Sequence, residues 1–514
     1  MLVIHHLGVG RGLGAFVHQR GLQYAWVSTC CIDKSSSAEL SEAINSMFLW
    51  YKESAVCFVF LSDLPASERL VEKVETTSVF PYAQKTFAAC RWFTRGWTLQ
   101  ELIAPSEVEF FDSQWKQFSR KADCLDKLEE ITGIRRSVLE SSSYLRQTPT
   151  AVKMSWAAAR ETKRVEDRAY SLLGIFDINM PMIYGEGSKA FRRLQEEISR
   201  ETNDLSLFAW KGPPQGTVGS QMSRGIFARS PSEFGSCSTM QRSGTRQDSQ
   251  SEFTLTNKGV RFETKLYKHT QGAYVMYLGV KMHDTPVCII LTRTPEGFVR
   301  SEPWSLTYKQ SWNLSRVPDI FAIHIQKDVS FQEDAKFWRQ RHRSFHINRV
   351  LQTFLKLEKL ESHPEHQWDE FHSTFISGNP DESYAARLDF LIRDTDRNFN
   401  EAFAPTLTMG WASSHQQPFA VLYGSEGSHE ETFEKALASI CTNPQFQATE
   451  VQFVTKKIMI LHRGVRKVSA FVTTFSVELE THKDQDGIIT YHASLSGKIS
   501  RVEGRNAMLA LKST

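Results

Sequence analysis

The sequence predicts an α/β protein: a doubly wound parallel sheet with a helical extension, followed by antiparallel β-rich domains. Two observations carry the first half. Residues 22–61 run strand, amphipathic helix, strand, and the second strand, AVCFVFL at 55–61, has no polar alternation. That is the pattern of a parallel strand covered on both faces. A third observation carries the second half: beyond residue 250, apolar and polar residues alternate around turn signals, as in antiparallel sheets with one wet face.

The elements follow in order. LQYAWVSTC at 22–30 is rich in β-branched and aromatic residues and reads as a strand. Ser36 and Glu39 have capping-box spacing. Behind them Leu40, Ala43, Ile44, Met47, Phe48 and Tyr51 share one helical face, so 37–51 is a helix returning the chain to the strand at 55–61. A long loop starts at Ser62, a short helix covers Trp97–Ala104 and is stopped by Pro105, and Val108–Phe111 is another strand. From 112 to 205 the pattern is helical. Val165, Ala169, Leu172, Leu173 and Phe176 make one stripe, and Ser188 is expected to cap a helix carrying Phe191, Leu194 and Ile198. Residues 206–251, rich in Gly, Ser, Gln and Arg, read as linker. Phe253–Leu266 folds as a hairpin across Asn257-Lys258-Gly259, and 274–282 and 286–293 continue an antiparallel domain. A helical stretch follows 331, and VQFVTKKIMIL, SAFVTTFSVEL and GIITYHASLSG form a last antiparallel sheet.

Composition bounds the function. The 514 residues suffice for roughly two to four domains. A net charge of +3 gives no electrostatic case for nucleic acid or an anionic membrane as partner. Eight cysteines without a CxxC pair argue against a zinc ribbon or a redox motif, and for a reducing compartment. Adjacent Cys30 and Cys31 lie in an apolar run and are expected to be buried thiols. Neither a signal peptide nor a membrane-spanning window is visible, so a cytoplasmic protein without a membrane span is expected.

Three blocks resemble the fungal HET (heterokaryon incompatibility) domain: AWVSTCCIDKSSSAELSEAINSMFLWYKESAVCFVFLSDL, RWFTRGWTLQELIAP at 91–105, and RVEDRAYSLLGIFDINMPMIYGEGSKAFRRLQEEI at 164–198. They occur in family order over about 20–200. The segment DLSLFAWKG…GIFARSPSEF…FTLTNKGVRFET is similar to the β-rich domain that often follows. Two features depart from the family. No LSHTW-type opening strand precedes Tyr24, so an N-terminal strand is expected to be missing, and Ser28 stands where the family has Asp. The expected division is therefore a truncated HET domain at 1–205, a linker at 206–251, a β-rich domain at 252–330, a helical connector at 331–399 and an antiparallel β domain at 400–514.

The resemblance implies a role in vegetative incompatibility ending in programmed cell death. HET domains resemble TIR domains, which implies a TIR-like sheet, and Trp97-Thr98-Leu99-Gln100-Glu101-Leu102 is similar to the TIR pattern W-C-L-x-E-L. In enzymatic TIR domains that glutamate acts on NAD, where a carboxylate offsets the charge of an oxocarbenium-like transition state. Glu101 is thus the candidate catalytic residue, NAD the candidate substrate, and no further cofactor is required. Asp33 and Asp63 follow the two strands where open α/β sheets place ligands, with turn and cap chemistry as the competing reading. Trp97 could stack on a nucleotide or pack in the core, and Arg95 is placed with the same cleft. The partners implied are self-association through the HET domain and an unidentified regulatory protein. A non-enzymatic signalling module and a degenerate, inactive paralogue stay open beside the enzyme.

Other motifs point to the bland reading. Gly10-Arg11-Gly12-Leu13-Gly14-Ala15 followed by Asp33 mimics a dinucleotide fingerprint, but its glycine match is weak. His363, His366 and His372 lie in a polar stretch and read as solvated. The basic run at 336–359 reads as a charged helix face, and Arg164, Glu166, Asp167 and Arg168 as a salt-bridged one. No GxxxxGK[ST] phosphate loop is present.

Overall fold

The computed structural model describes residues 2–5, 20–28, 30–65, 86–243, 252–269, 272–308, 320–351, 355–370, 372–377, 384–394, 402–403, 405–412, 417–423, 448–462, 465–483 and 488–503. The chain divides into two compact units. The first is Met1–His269, Ala273–Leu291 and Val299–Asp328; the second is Thr270–Gly272, Thr292–Phe298 and Val329–Thr514.

The first unit opens with five strands: β1 Leu2–His5, β2 Ala25–Val27, β3 Val56–Phe60, β4 Val108–Phe111 and β5 Gln117–Arg120. Their order is β2-β1-β3-β4-β5. β1 pairs in parallel with both β2 and β3, and β3 in parallel with β4; β5 runs antiparallel at the edge. The two strands expected from sequence are therefore parallel but not neighbours. The missing N-terminal strand is also corrected: LVIH at 2–5 fills the place between them. Four residues are too few to show a period, so nothing in the pattern marks them as a strand.

Helix α1, Ser37–Lys52, connects β2 to β3 and buries Ala43, Ile44, Met47 and Tyr51. Ser36 Oγ accepts the Glu39 N–H at 3.3 Å, but the Glu39 carboxylate passes over Ser36 and accepts from the Asp33 N–H at 2.8 Å. Cys57, Phe58 and Val59 of β3 are fully enclosed, as a strand covered on both faces must be. Cys30 and Cys31, in contrast, are exposed rather than buried, because β2 ends at Val27 and they sit in the turn beyond it. The Val165–Phe176 stripe is two single turns, Asp167–Tyr170 and Leu173–Phe176, with Asp177 at φ 59° ending the second. Lys189–Glu201 is a helix, yet Ser188 makes no side-chain cap.

Among the described residues nine further strands follow, in this unit apart from the β11–β12 tip at Thr292–Phe298: β6 Ser223–Arg224, β7 Gln241–Arg242, β8 Phe253–Thr256, β9 Gly259–Lys268, β10 Ala273–Met282, β11 Thr285–Thr294, β12 Gly297–Ser301, β13 Thr307–Tyr308 and β14 Ile320–Ile325. The expected hairpin turns where Thr256 pairs Gly259. The ladder runs β11-β10-β9-β14-β12, and β12 pairs back onto β11, closing a five-stranded ring.

The linker expected at 206–251 is packed structure as far as residue 243. Trp210 is fully buried, with the guanidinium carbons of Arg300 and Arg224 at 3.8 and 4.3 Å from its ring centroid. Arg224 pairs with both carboxylate oxygens of Glu233, at 2.6 and 3.2 Å. Arg300 donates to the carbonyls of Phe208 and Trp210, and burial lowers its pKa to about 9. Polar composition misled here because the arginines face inward, onto an aromatic ring and a carboxylate.

The second unit begins with helix α2, Phe331–Arg341, started by a complete capping box of Ser330 and Glu333. The helical connector expected to 399 ends there; strands β15 Phe345–Leu351, β16 Leu355–His363, β17 Trp368–Asp369, β18 Thr374–Phe375 and β19 Tyr384–Asp394 take its place. β20 Ala402–Phe403, β21 Thr406–Ala412, β22 Gln417–Tyr423, β23 Ala448–His462, β24 Val465–Lys483 and β25 Ile489–Glu503 follow. They form one sheet β17-β18-β15-β25-β24-β23 and another β16-β19-β21-β22, with β20 beside β19. Their facing residues, among them Phe345, Phe475 and Tyr491 from one and Leu388, Met409 and Leu422 from the other, share one apolar core. The expected antiparallel character holds except where β15 and β25 pair in parallel. No helix among the described residues is long and apolar enough to cross a membrane.

Candidate functional site

The segment Trp97–Leu102 forms a short helix, Thr98–Ile103, every residue of which is buried. The chain before it is clamped: Gly96 N–H donates to the Glu161 carbonyl at 2.8 Å, and Glu161 N–H to the Thr94 carbonyl at 2.6 Å. Arg160 reinforces the clamp, donating to the Arg95 carbonyl at 2.8 Å and to Thr98 Oγ1 at 2.9 Å.

Glu101 is 1% exposed. Its carboxylate accepts from Trp92 Nε1 at 3.3 Å and is bonded to the Tyr51 hydroxyl. Burial, then the charge of Glu101, pushes the Tyr51 phenol and the Cys57 thiol well above their ordinary ranges. Burial lowers Arg160 to about 10 while Glu101 acts in the opposite sense. Tyr51 ends α1 and Cys57 lies in the amino-terminal half of β3. Glu101 therefore faces that half of the sheet, and its expected place in a cleft at the carboxyl ends is corrected.

The other candidates are dispersed. Asp63 follows the carboxyl end of β3, accepts the Arg91 N–H at 2.8 Å and pairs with the Arg91 guanidinium at 3.5 Å, a cap for the turn Arg91–Thr94. Asp33 is exposed; its carboxylate accepts from Ser35 N–H and Oγ at 2.8 and 2.6 Å, and these bonds hold its pKa below the usual carboxylate value. Both are engaged in turn and cap chemistry. Arg95 is tied through its backbone in a parallel bridge to Glu161. The glycine fingerprint at 10–15 lies outside the described residues.

Trp97 instead leads to a polar cluster where the sequence predicts a salt-bridged helix face. Its side chain bonds Asp167, which also accepts from the Tyr184 hydroxyl at 3.0 Å. Partial burial raises the Asp167 pKa against these bonds. Glu166 accepts the N–H groups of Gly185 and Gly187 at 2.9 and 3.0 Å, and backbone N–H bonds hold its carboxyl below the usual range. Those glycines have φ of 102° and 61°, conformations an L side chain resists. Between them Glu186 accepts from Tyr170 at 3.0 Å and from Arg193 at 2.6 Å, and the Arg164 guanidinium lies 4.5 Å from the Tyr184 ring centroid. The Tyr184–Gly187 loop is thus pinned from below and presents a half-buried indole, phenol and carboxylate. The arrangement suits recognition by stacking and hydrogen bonding. A legible sign was the pair of glycines around Glu186, a loop shape that needs acceptors for its N–H groups.

Residues 13–101 match the family model described as heterokaryon incompatibility protein (HET). The chain carries a HET domain. A second model, a domain of unknown function (DUF8212), matches residues 189–271, which span the Lys189–Glu201 helix, the packed segment around Trp210 and the hairpin of β8 and β9. Over 187 residues, 36% of the chain, the sequence is 44% identical to the vegetative incompatibility protein HET-E-1 of Podospora anserina. That match spans 13% of the length of HET-E-1. No solved structure matches the chain. The HET model ends at Glu101, so the loop around Glu186 lies beyond it.

Proposed function

We propose that this chain serves vegetative incompatibility, its HET domain delivering a signal that ends in cell death in the cytoplasm. The observation that carries this reading is the 44% identity over 187 residues to HET-E-1, a vegetative incompatibility protein by name. The pinned loop beside Trp97 is the surface we assign to output, through self-association or a regulatory protein. Expressing the full chain in a filamentous fungus tests the reading, with colony growth and hyphal viability as readouts. Wild type should impair growth and Glu166→Ala, which releases the Gly185 and Gly187 N–H groups, should impair it less. Normal growth with abundant soluble wild-type protein would overturn the proposal.

A second reading is supported by the sheet. The order β2-β1-β3-β4-β5 reverses between β1 and β3, the position at which open α/β sheets receive nucleotides. In this reading the HET domain cleaves NAD between nicotinamide and ribose without another cofactor. Glu101 could act only if the packing of Trp92 and Tyr51 around it opened, whereas Asp167 already stands half-buried beside the Trp97 indole. Incubating purified chain with NAD and following nicotinamide release tests this. Release lost in Asp167→Asn or Glu101→Gln supports it, by about a hundredfold for an electrostatic role. No release from folded wild type leaves the non-enzymatic module.

A further inference from the structure

The six-stranded sheet of the second unit carries an unusual row on the face opposite its apolar core. The registers place Asp369, Thr374, His346, His492 and Glu480 side by side on five successive strands, β17, β18, β15, β25 and β24. The residues before or after them, Phe345, Phe375 and Tyr491, point into the sandwich, so strand alternation turns this row outward. The imidazoles of His346 and His492 stack at 4.8 Å between centroids, and His482 approaches His492 at 4.0 Å. Thr374 Oγ1 lies 2.7 Å from His346 Nδ1, and His372 Nδ1 lies 3.1 Å from Asp369 Oδ2.

Asp369, Thr374, His346 and His492 of this row, but not Glu480, line a pocket of about 460 Å³, within the range of small-molecule sites. Arg341 from α2 and Lys483 from the end of β24 stand on its walls, with the hydroxyls of Ser344 and Thr490. Among the described lining residues Asp369 is the one carboxylate, and it is engaged by His372. The lining is thus rich in cations and donors and poor in acceptors. A phosphate monoester supplies up to two negative charges and three strongly accepting oxygens. A carboxylate, with two oxygens, would leave more of these donors unmatched. Ile376, Ile488 and the imidazole faces give the organic part of such a ligand an apolar seat.

We propose that this pocket binds a small phosphate monoester. The imidazoles make the binding sensitive to pH. His346 is faced by His492 on β25, by His372 and Asp369 on the β17–β18 hairpin and by Arg341 on α2. His492 is faced by His482 and Glu480 on β24. Desolvation is the main cause holding both imidazoles below their ordinary value; the adjacent imidazoles and Arg341 act in the same sense, and the carboxylates of Asp369 and Glu480 act against it. A bound dianion reverses the balance, so binding takes up protons and tightens as pH falls towards 6, where the monoester begins to lose its second charge.

The test is calorimetric titration of the full chain with inorganic phosphate, a sugar phosphate and a mononucleotide. Citrate and chloride at matched ionic strength are the controls. Phosphate-bearing ligands should bind, with about fivefold higher affinity at pH 6 than at pH 8. The sugar phosphate and the mononucleotide should exceed inorganic phosphate, and the stronger of the two names the source. Lys483→Ala, an exposed position at the rim, should weaken binding at least about fivefold without disturbing the fold. His492→Gln should flatten the pH dependence. Equal binding of citrate and phosphate esters, an absence of binding by all phosphates, or wild-type affinity in both variants would overturn the proposal.

Discussion

Glu101 illustrates how a residue's type can be read correctly and its surroundings wrongly. A carboxylate on a short polar-looking helix suggests a ligand-facing group, but all six residues of that helix are enclosed, and the Trp92 indole and Tyr51 hydroxyl complete its hydrogen bonds. Sequence periodicity cannot show this, because six residues make fewer than two turns and burial all round leaves no polar face. Glu101→Ala should therefore destabilise the first unit by about 3 kcal/mol, since it strands buried donors and the desolvated Arg160. Glu101→Gln, which keeps the shape and an acceptor, should cost less. Denaturant titration of the two variants checks the order. His346 gives a prediction of different sign structure. Its folded pKa is lowered to about 4 from 6.5, mainly by desolvation. Between those values the unfolded chain holds a proton that the folded chain does not, so acid favours unfolding. The second unit should lose stability as pH falls from about 6.5 towards 4, and His346→Gln should remove that part of the loss. Melting temperatures across this interval measure it.

At the scale of elements, the parts that show a period or follow a clear breaker, as Val108–Phe111 follows Pro105, are readable, and short parts with neither are not. The run at 55–61, the helix at 37–52, the strand at 108–111 and the hairpin at Asn257–Gly259 all stand where their residues place them. Leu2–His5 and Gln117–Arg120 escaped, each only four residues long. Yet β1 is an interior strand of its sheet, with Val3 opposite both Trp26 and Cys57. Val3→Pro removes a ladder N–H where both sides are paired and should cost about 3 kcal/mol or more. Soluble yield and melting of the variant check that. The packed segment around Trp210 was missed for another reason: buried arginines have the composition of a loop. Trp210→Ala would remove the ring that both guanidinium groups lie against and should cost about 3–5 kcal/mol. A loss below about 1 kcal/mol would mean that this stretch is the linker its composition suggests.

For the whole molecule, the boundary that matters lies at Asp328, not at 205. Ending the chain at 205 would expose the surfaces that bury Phe208, Trp210 and Phe234, all of which belong to the first compact unit. A fragment ending at 205 should aggregate, while one ending at 328 should stay soluble and melt cooperatively; light scattering and circular dichroism distinguish them. The closed ring of β9, β10, β11, β12 and β14 within that unit has a consequence for motion. An open sheet loses strands one at a time from its edges, each departure breaking one ladder. In a ring every strand is held on both sides, so the first departure breaks two. Deuterium should then enter these five strands together, at rates set by opening of the whole barrel, and no member should label early on its own.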